Sequence, residues 1–287
     1  MLAGTIFFAL ADALGKWLTA QYSLFQVSWL RSVLGVLLIG GIAIASGRGA
    51  QLRTSRPLPH LLRSILSIAL SLGIFYGLRS LPLAEFVAII FTAPIMLAML
   101  SPWLLHEPVQ VRTWVAVLTG FIGILLVVRP VPGHFHTAHL TTLAVALVTA
   151  LLATSARLLS ATESGLSLNF YIYPGNVVFA AAFAWRDWVP MDPLAWVLML
   201  LLGIMATTAL WCLIQAMRHA RPALVAPLDY IRLVWITLLG YYVWGEFPSL
   251  LTWAGMTIIV ICGVYVMTHT RMLPASGDPV STGKVAA

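Results

Sequence analysis

The chain has 287 residues, of which 61% are hydrophobic, 11% aromatic and only 9% charged, and its mean hydropathy is +0.96. A soluble domain carries about 25% charged residues, so this composition excludes an ordinary soluble enzyme. The net charge of +7 indicates basic connections between membrane spans rather than nucleic-acid binding, because basic residues fix the orientation of membrane proteins.

Apolar runs between polar breaks predict ten membrane-spanning helices. The expected spans are 2–20, 24–46, 58–79, 83–105, 110–128, 139–162, 167–185, 193–217, 222–244 and 250–269. No connection is long enough for a soluble domain, so function is expected within the helices. Met1 leads into the first run without a basic region, so that run is expected to stay as a helix rather than to be cleaved as a signal peptide. The small, polar tail 272–287 is expected to be disordered.

The basic residues predict that both termini are cytoplasmic, since this orientation puts ten of them inside and four outside. The inside set is Arg48, Arg53, Arg56, Arg63, Arg112, Arg157, Arg218, Arg221, Arg271 and Lys284, and the outside set is Lys16, Arg79, Arg129 and Arg186. A multi-pass protein of the plasma membrane, the bacterial inner membrane, is therefore expected, with the lipid bilayer as its constant partner.

An internal repeat divides the chain at its middle. A shift of 139 residues superposes three features, and the pairs are Arg79 with Arg218, Glu107 with Glu246 and Trp114 with Trp253. Five spans per half is an odd number, so the two copies must enter the membrane from opposite sides. Such inverted repeats are typical of transporters that expose a site at mid-membrane to each face in turn.

With these features the chain resembles the ten-helix, EamA-type exporters of the drug/metabolite transporter superfamily, and within it most closely the YddG-type aromatic amino acid exporters. The Phe75-Tyr76-Gly77-Leu78-Arg79 segment is compatible with that likeness. The resemblance implies an all-α membrane protein whose two inverted five-helix repeats, 1–135 and 136–271, surround a central cavity. It also implies export of aromatic and other hydrophobic amino acids or related small metabolites by alternating access.

Four ionisable residues lie close together in pairs on two predicted helices. Asp12 and Lys16 are four residues apart on the first helix, and Asp229 and Arg232 are three apart on the ninth. Either pair can neutralise itself within its helix, and either can belong to a transport site.

Arg31 differs from them because no acidic residue lies within helical reach of it. Its partner is expected to come from another helix, from water or from a substrate carboxylate. Glu85 and Arg79 lie at the outer ends of their spans, where solvated ends are the favoured interpretation and a gate is the alternative.

Prolines predict breaks inside three spans. Pro94 interrupts the fourth span, Pro174 the seventh and Pro227 the ninth. A proline removes a backbone donor, which is tolerated where protein or a water-filled cavity satisfies the freed carbonyl. The fourth and ninth spans are equivalent in the two halves, so these paired breaks predict the translocation site, with simple kinks as the alternative.

The function predicted from these residues is secondary transport of a zwitterionic amino acid, with a cation for its carboxylate and aromatic walls for its side chain. An intramembrane enzyme or a scaffold is the alternative, but no catalytic cluster, cofactor motif or large loop supports either. His134, His136 and His139 are interpreted as a polar loop rather than a metal site, and monomer and homodimer stay equally open. The candidate binding or pathway residues are Asp12, Lys16, Trp17, Arg31, Tyr76, Arg79, Glu85, Phe91, Pro94, Tyr171, Trp211, Pro227, Asp229, Arg232 and Trp235.

Overall fold

The computed structural model describes residues 2–104, 111–129, 136–160, 162–219 and 228–269. Within these ranges every regular element is helical, which confirms the all-helical fold for the described part of the chain. The elements are α1 (Leu2–Gln21), α2 (Leu24–Ala45), a 3-10 helix (Gly49–Leu52), α3 (Pro57–Ser80), α4 (Leu83–Ile90), α5 (Ala93–Leu104), α6 (Val111–Val128), α7 (Thr137–Leu159), α8 (Gly165–Phe170), α9 (Pro174–Ala184), α10 (Pro193–His219), α11 (Arg232–Trp244) and α12 (Leu250–His269).

Seven helical stretches in the described ranges are long and apolar enough to cross a membrane. They are Leu2–Gln21, Leu24–Ala45, Pro57–Ser80, Leu83–Leu100, Thr137–Leu159, Gly165–Ala184 and Pro193–Cys212. Two further apolar helices, Trp114–Val128 and Leu250–Val266, are shorter. All of them fall on expected spans, while the full count of ten crossings stays a prediction.

Two of the expected breaks are confirmed by the helix bounds. The fourth span divides into α4 and α5 at Phe91 and Thr92, and Pro94 lies in the first turn of α5. The seventh span divides into α8 and α9 at residues 171–173, and Pro174 begins α9. A proline fits the first turn of a helix because its missing N–H has no helical partner there.

The helices pack mainly between the first and second halves of the chain. α1 packs against α10 and α11, α3 against α7 and α9, α2 against α9 and α10, α4 against α7 and α11, and α6 against α12. The α6–α12 contact is especially close, since a Cβ added at Gly255 would lie 2.6 Å from the carbonyl oxygen of Gly123. Only glycine allows the two backbones to approach this far.

The outer surface of the bundle is apolar. Leu37 is 64% exposed, Ile44 74% and Phe121 56%, and many other large hydrophobic side chains of the described residues are similarly open. A soluble monomer rarely exposes apolar surface on this scale. Contact with lipid accounts for it, and polar groups are instead collected between the helices.

Candidate functional site

The middle of the bundle holds an ion pair between the two halves. The guanidinium of Arg232 on α11 hydrogen-bonds the carboxylate of Asp12 on α1. It also lies 4.9 Å from the ring of Phe8 and 6.0 Å from that of Phe91. The interpretation of Asp12 and Lys16 as a pair within one helix is wrong, because the packing of α1 against α11 offers Asp12 a closer cation.

Lys16 pairs instead with Glu246, in the turn between α11 and α12. Its ammonium group also donates to the Leu81 carbonyl at 2.9 Å, and the other carboxylate oxygen of Glu246 accepts the backbone N–H of Leu83 at 3.0 Å. Gly245 ends α11 with a left-handed φ of 67°, which lets the N–H of Glu246 bond back to α11 and fixes the turn. We call this region the Lys16 end; its charges have partners from both halves.

Asp229 lies just before a turn at Tyr230 and Ile231 that precedes α11. One of its carboxylate oxygens, Oδ1, is buried and has no hydrogen-bond partner among the described residues. Both Arg232 and Asp12 act on it electrostatically. The alternative that Asp229 and Arg232 form a self-contained pair is wrong, since the guanidinium is directed to Asp12.

Buried polar atoms without a described partner concentrate on this segment. Five such atoms belong to residues 229–237, more than to any other stretch of the described residues. They are Asp229 Oδ1, Tyr230 OH, Arg232 Nε, Trp235 Nε1 and Thr237 Oγ1. Native structures leave few buried polar groups unmet, so a concentration of them indicates water or a ligand.

Arg31 has no hydrogen bond or ion pair with the described residues. Its guanidinium carbon lies 5.8 Å from the centre of the Phe75 ring, and its charge attracts the carboxylate of Asp12. The side chain is half-buried on α2. As expected, no described acidic residue of its own helix pairs with Arg31. The guanidinium can therefore bind a further acceptor.

The break in the fourth span meets the turn before α11. The rings of Phe91 and Tyr230 contact each other edge to face, with centres 4.8 Å apart. Phe91 is buried, and the Tyr230 hydroxyl points at Gly263 of α12, where any Cβ would collide with it. Pro227, which was expected to break the ninth span, lies outside the described residues.

At the opposite end of the bundle, a buried cluster surrounds Glu163, between α7 and α8. Its carboxylate accepts hydrogen bonds from Thr54 at 2.8 Å and Ser167 at 3.1 Å, and Nε2 of His60 lies 3.3 Å from it. The Thr54 hydroxyl, aided by Ser167 and His60, lowers the pKa of Glu163 to about 2, although burial opposes this shift. We call this region the Glu163 end. This cluster could not be predicted from the sequence, because a single Glu in a short polar turn carries no spacing signal.

Arg63 and two serines on α3 provide hydrogen-bond partners for the backbone groups around the break between α8 and α9. Arg63 donates to the carbonyls of Leu152 at 2.9 Å and Leu168 at 3.1 Å. Ser64 accepts the N–H of Gly175 at 3.0 Å, and Ser67 donates to the Ile172 carbonyl. Arg63, counted among the inside cations, is buried inside the bundle, and its place on the inner side stays a prediction.

Glu85 and Arg79 lie in different surroundings. Arg79 is exposed at the end of α3, as expected for a solvated residue, whereas Glu85 is buried on α4 with an oxygen 3.8 Å from His139 Nε2. The interpretation of Glu85 as solvated is wrong, and so is that of His139 as part of a polar loop. His139 lies in the first turn of α7, where its ring accepts the N–H of His136 at 3.1 Å.

The other aromatic candidates are dispersed. Tyr76 bonds Thr137 at 3.0 Å, and Trp17 and Trp211 are 43% and 58% exposed. The ring centres of Tyr171 and His60 are 4.5 Å apart. Tyr171 also lines a groove of about 890 Å³ between α3 and α9. Among the described residues, no group of three or more His, Cys, Asp or Glu could hold a metal ion.

Three hollows lined by described residues, of about 490, 550 and 890 Å³, contain none of the charged residues of the middle. The expected central cavity therefore stays a prediction.

Several known transporters are similar to the chain along most of its length. An S-adenosylmethionine uptake transporter of Rickettsia prowazekii is 25% identical over 89% of this chain and 87% of the relative. A riboflavin transporter of Vibrio cholerae is 27% identical over 93% and 91%, and the pseudopaline exporter CntI of Pseudomonas aeruginosa is 27% identical over 88% and 89%. A protein of known crystal structure shares the fold, with a TM-score of 0.64 and 18% identity over 93% of this chain and 95% of that one.

The model of the EamA-like transporter family matches this chain twice, at residues 1–129 and 136–269. Together the two matches cover most of the chain, and the relatives that carry functional names are small-molecule transporters. The chain is therefore a multi-pass membrane protein and belongs to the EamA-like transporter family of the drug/metabolite transporter superfamily.

Proposed function

We propose that this protein is a secondary transporter that moves a zwitterionic amino acid, or a similar small metabolite, across the bacterial inner membrane by alternating access. In this proposal the fold has ten membrane spans in two inverted repeats, 1–135 and 136–271, followed by the tail 272–287. Both termini lie in the cytoplasm. Relatives are named for uptake as well as export. The direction would therefore follow the prevailing gradients, with export of hydrophobic amino acids as the expectation from the resemblance.

The packing pattern supports the inverted repeat. Exchanging the halves turns the α1–α10 contact into the contact of α7 with α3, and the α2–α10 contact into that of α9 with α3. The contacts of α2 with α9, of α4 with α11 and of α6 with α12 are unchanged by this exchange. Phe91 and Tyr230, which touch at the two breaks, are 139 residues apart, the same shift that superposes the halves.

The observation that carries the proposal is the set of unmet polar groups between the halves. Arg31 offers a guanidinium without a described acceptor, and residues 229–237 hold five unpartnered polar atoms. Charged residues inside a membrane protein are costly and usually line a pathway. In this proposal Arg31 binds the substrate carboxylate, Asp12 attracts the ammonium group, and Phe8 and Phe91 form part of an apolar wall.

A second candidate is transport of a different metabolite through the same site, since relatives carry the names of S-adenosylmethionine, riboflavin and pseudopaline. The decisive experiment is flux into proteoliposomes that contain the purified protein. Labelled phenylalanine, leucine, S-adenosylmethionine and riboflavin are compared one by one. Flux of the last two without flux of amino acids would favour the second candidate, and no flux of any would contradict transport of these classes.

Arg31→Ala then tests the proposed role of that residue. Losing a hydrogen bond to a charged group costs about 1.5–3 kcal/mol, so we expect an amino acid flux about 10- to 100-fold lower with the melting temperature unchanged. Arg186→Ala is the matched control, because Arg186 is exposed and is not among the candidate site residues. Equal flux in Arg31→Ala and the wild type would remove Arg31 from the site.

A further inference from the structure

Two carboxylates in the middle of the bundle share one guanidinium. Arg232 hydrogen-bonds Asp12, while Asp229, three residues before it in the chain, has no hydrogen bond or ion pair among the described residues. Both acidic groups nevertheless act on each other and on Arg232 electrostatically. Among the described residues, one of the two acidic groups therefore has no direct contact that balances its charge.

An ionised carboxylate is not stable in such a place without compensation. Taking it out of water costs several kcal/mol, and only hydrogen bonds or a close cation offset that cost. Asp229 Oδ1 is buried and receives neither from the described residues, and the carboxylate of Asp12 repels it. A carboxyl group placed in this way takes up a proton or binds another cation.

We propose that Asp229 carries a proton, and that the transport proposed above is coupled to proton movement through this residue. The inference rests on the proposed function and adds its driving ion. With its proton, Asp229 is neutral and leaves Arg232 on Asp12, which joins α1 to α11. Without it, Asp229 competes for Arg232, since residues three apart are within helical reach of each other, and the contact between the halves loosens.

Charged and titratable groups lie on several elements around Asp229. Tyr230 follows it in the chain, Arg232 begins α11, α1 carries Asp12 and Lys16, α4 carries Glu85, and Arg31 of α2 attracts Asp12. Cys262 of α12 acts on Tyr230. Lys16 is held by Glu246 and Glu85 lies near His139, so both are already engaged elsewhere. Arg232 and Asp12 are thus the two charges that decide the proton affinity of Asp229.

The first test compares driven with undriven transport in the same proteoliposomes. Labelled phenylalanine is the probe, and a pH difference across the vesicle membrane is the driving force. We expect the gradient to accelerate wild-type flux about tenfold or more, with proton movement recorded by a trapped pH dye. Asp229→Asn should lose this acceleration while keeping exchange of labelled for unlabelled phenylalanine, and Asp187→Asn, at an exposed loop residue, should behave as wild type.

Wild-type flux that ignores the pH gradient would overturn the proton proposal and leave the proposed function intact. An Asp229→Asn protein that still follows the gradient would also overturn it. Absence of any phenylalanine flux in the wild type would instead count against the proposed substrate, and the second test then decides on the proton without a substrate.

That second test uses a carbodiimide, which reacts with protonated carboxyl groups in apolar surroundings. Purified wild-type protein in detergent is treated over a series of pH values, and the modified residue is identified by mass spectrometry. We expect Asp229 to be labelled near neutral pH, with labelling that falls as the pH rises, whereas Asp187 stays unlabelled. Labelling of Asp229 that is absent at every pH would overturn the proposal.

Discussion

Two carboxylates between the helices of this protein are in opposite situations. Glu163 accepts two hydrogen bonds from hydroxyl groups, with His60 Nε2 at 3.3 Å, whereas Asp229 Oδ1 meets no described partner. The first arrangement has the properties of a structural clamp, because its polar groups are already satisfied. The second leaves free energy to be gained from a proton, water or substrate. We expect the number of hydrogen bonds to the carboxylate, rather than its burial, to distinguish the structural group from the proposed proton carrier.

The same contrast divides the two buried arginines. Arg63 donates hydrogen bonds to two backbone carbonyls and to Ser155, at 2.5–3.1 Å. Arg232 instead donates a hydrogen bond to Asp12 and attracts Asp229 electrostatically. We expect Arg232→Gln to destabilise the protein by about 3–5 kcal/mol, since it leaves the carboxylate of Asp12 without its partner. Arg63→Gln should cost about 1–3 kcal/mol, since it leaves buried neutral acceptors unpaired. Flux per folded molecule should vanish only in Arg232→Gln.

Thermal melting in detergent and proteoliposome flux, normalised to folded protein, measure both effects. The comparison fails if Arg232→Gln transports at the wild-type rate, or if Arg63→Gln folds normally and does not transport.

The ion pair at the Lys16 end offers an intermediate case. Lys16 and Glu246 are paired across the halves and also hold the backbone of Leu81 and Leu83. Glu246→Gln alone should cost ~3–5 kcal/mol, because it leaves the buried ammonium group of Lys16 without its partner. Lys16→Met alone should cost less, because the side chain of Glu246 is 26% exposed. The double variant should lose clearly less than the sum of the two, as expected for residues in contact. Additive losses in thermal melting would show that the pair is not coupled.

The smallest effect is expected at the Glu163 end. Because the pKa of Glu163 is lowered from 4.5 to about 2 in the folded protein, its ionised form stabilises the fold fully above pH 4.5 and progressively less as the pH falls towards 2. Glu163→Gln should therefore melt at a lower temperature than wild type at neutral pH, and the difference should shrink on acidification. Asp187→Asn is the control, and a difference independent of pH would contradict the assignment.

Local features of the fold could be predicted from the sequence, whereas the partners of the buried charges could not. Pro94 and Pro174 marked two breaks correctly, since a proline acts on its own backbone wherever it lies. Asp12 and Lys16 were a plausible pair by spacing, yet each found its partner more than 200 residues away. Helical spacing reports only neighbours on one helix, and the packing of α1 against α11 decides the rest.

Residues at the ends of helices were the other source of error. His139 and Glu85 were interpreted as solvated, but α4 packs against α7 and buries both side chains. Polarity alone predicts a connection, and only the packing of neighbouring helices shows that the group is enclosed.

The alternating access proposed above requires the two halves to separate at the Lys16 end during each transport cycle, because Lys16 and Glu246 join them there. A variant with Lys16→Cys and Glu246→Cys, in which Cys212 and Cys262 are replaced by serine, allows this contact to be closed with a reducible bifunctional thiol reagent. We predict that cross-linked protein stops transporting labelled phenylalanine and recovers when the link is reduced, while single-cysteine variants are unaffected. Undiminished flux through fully cross-linked protein would contradict the account.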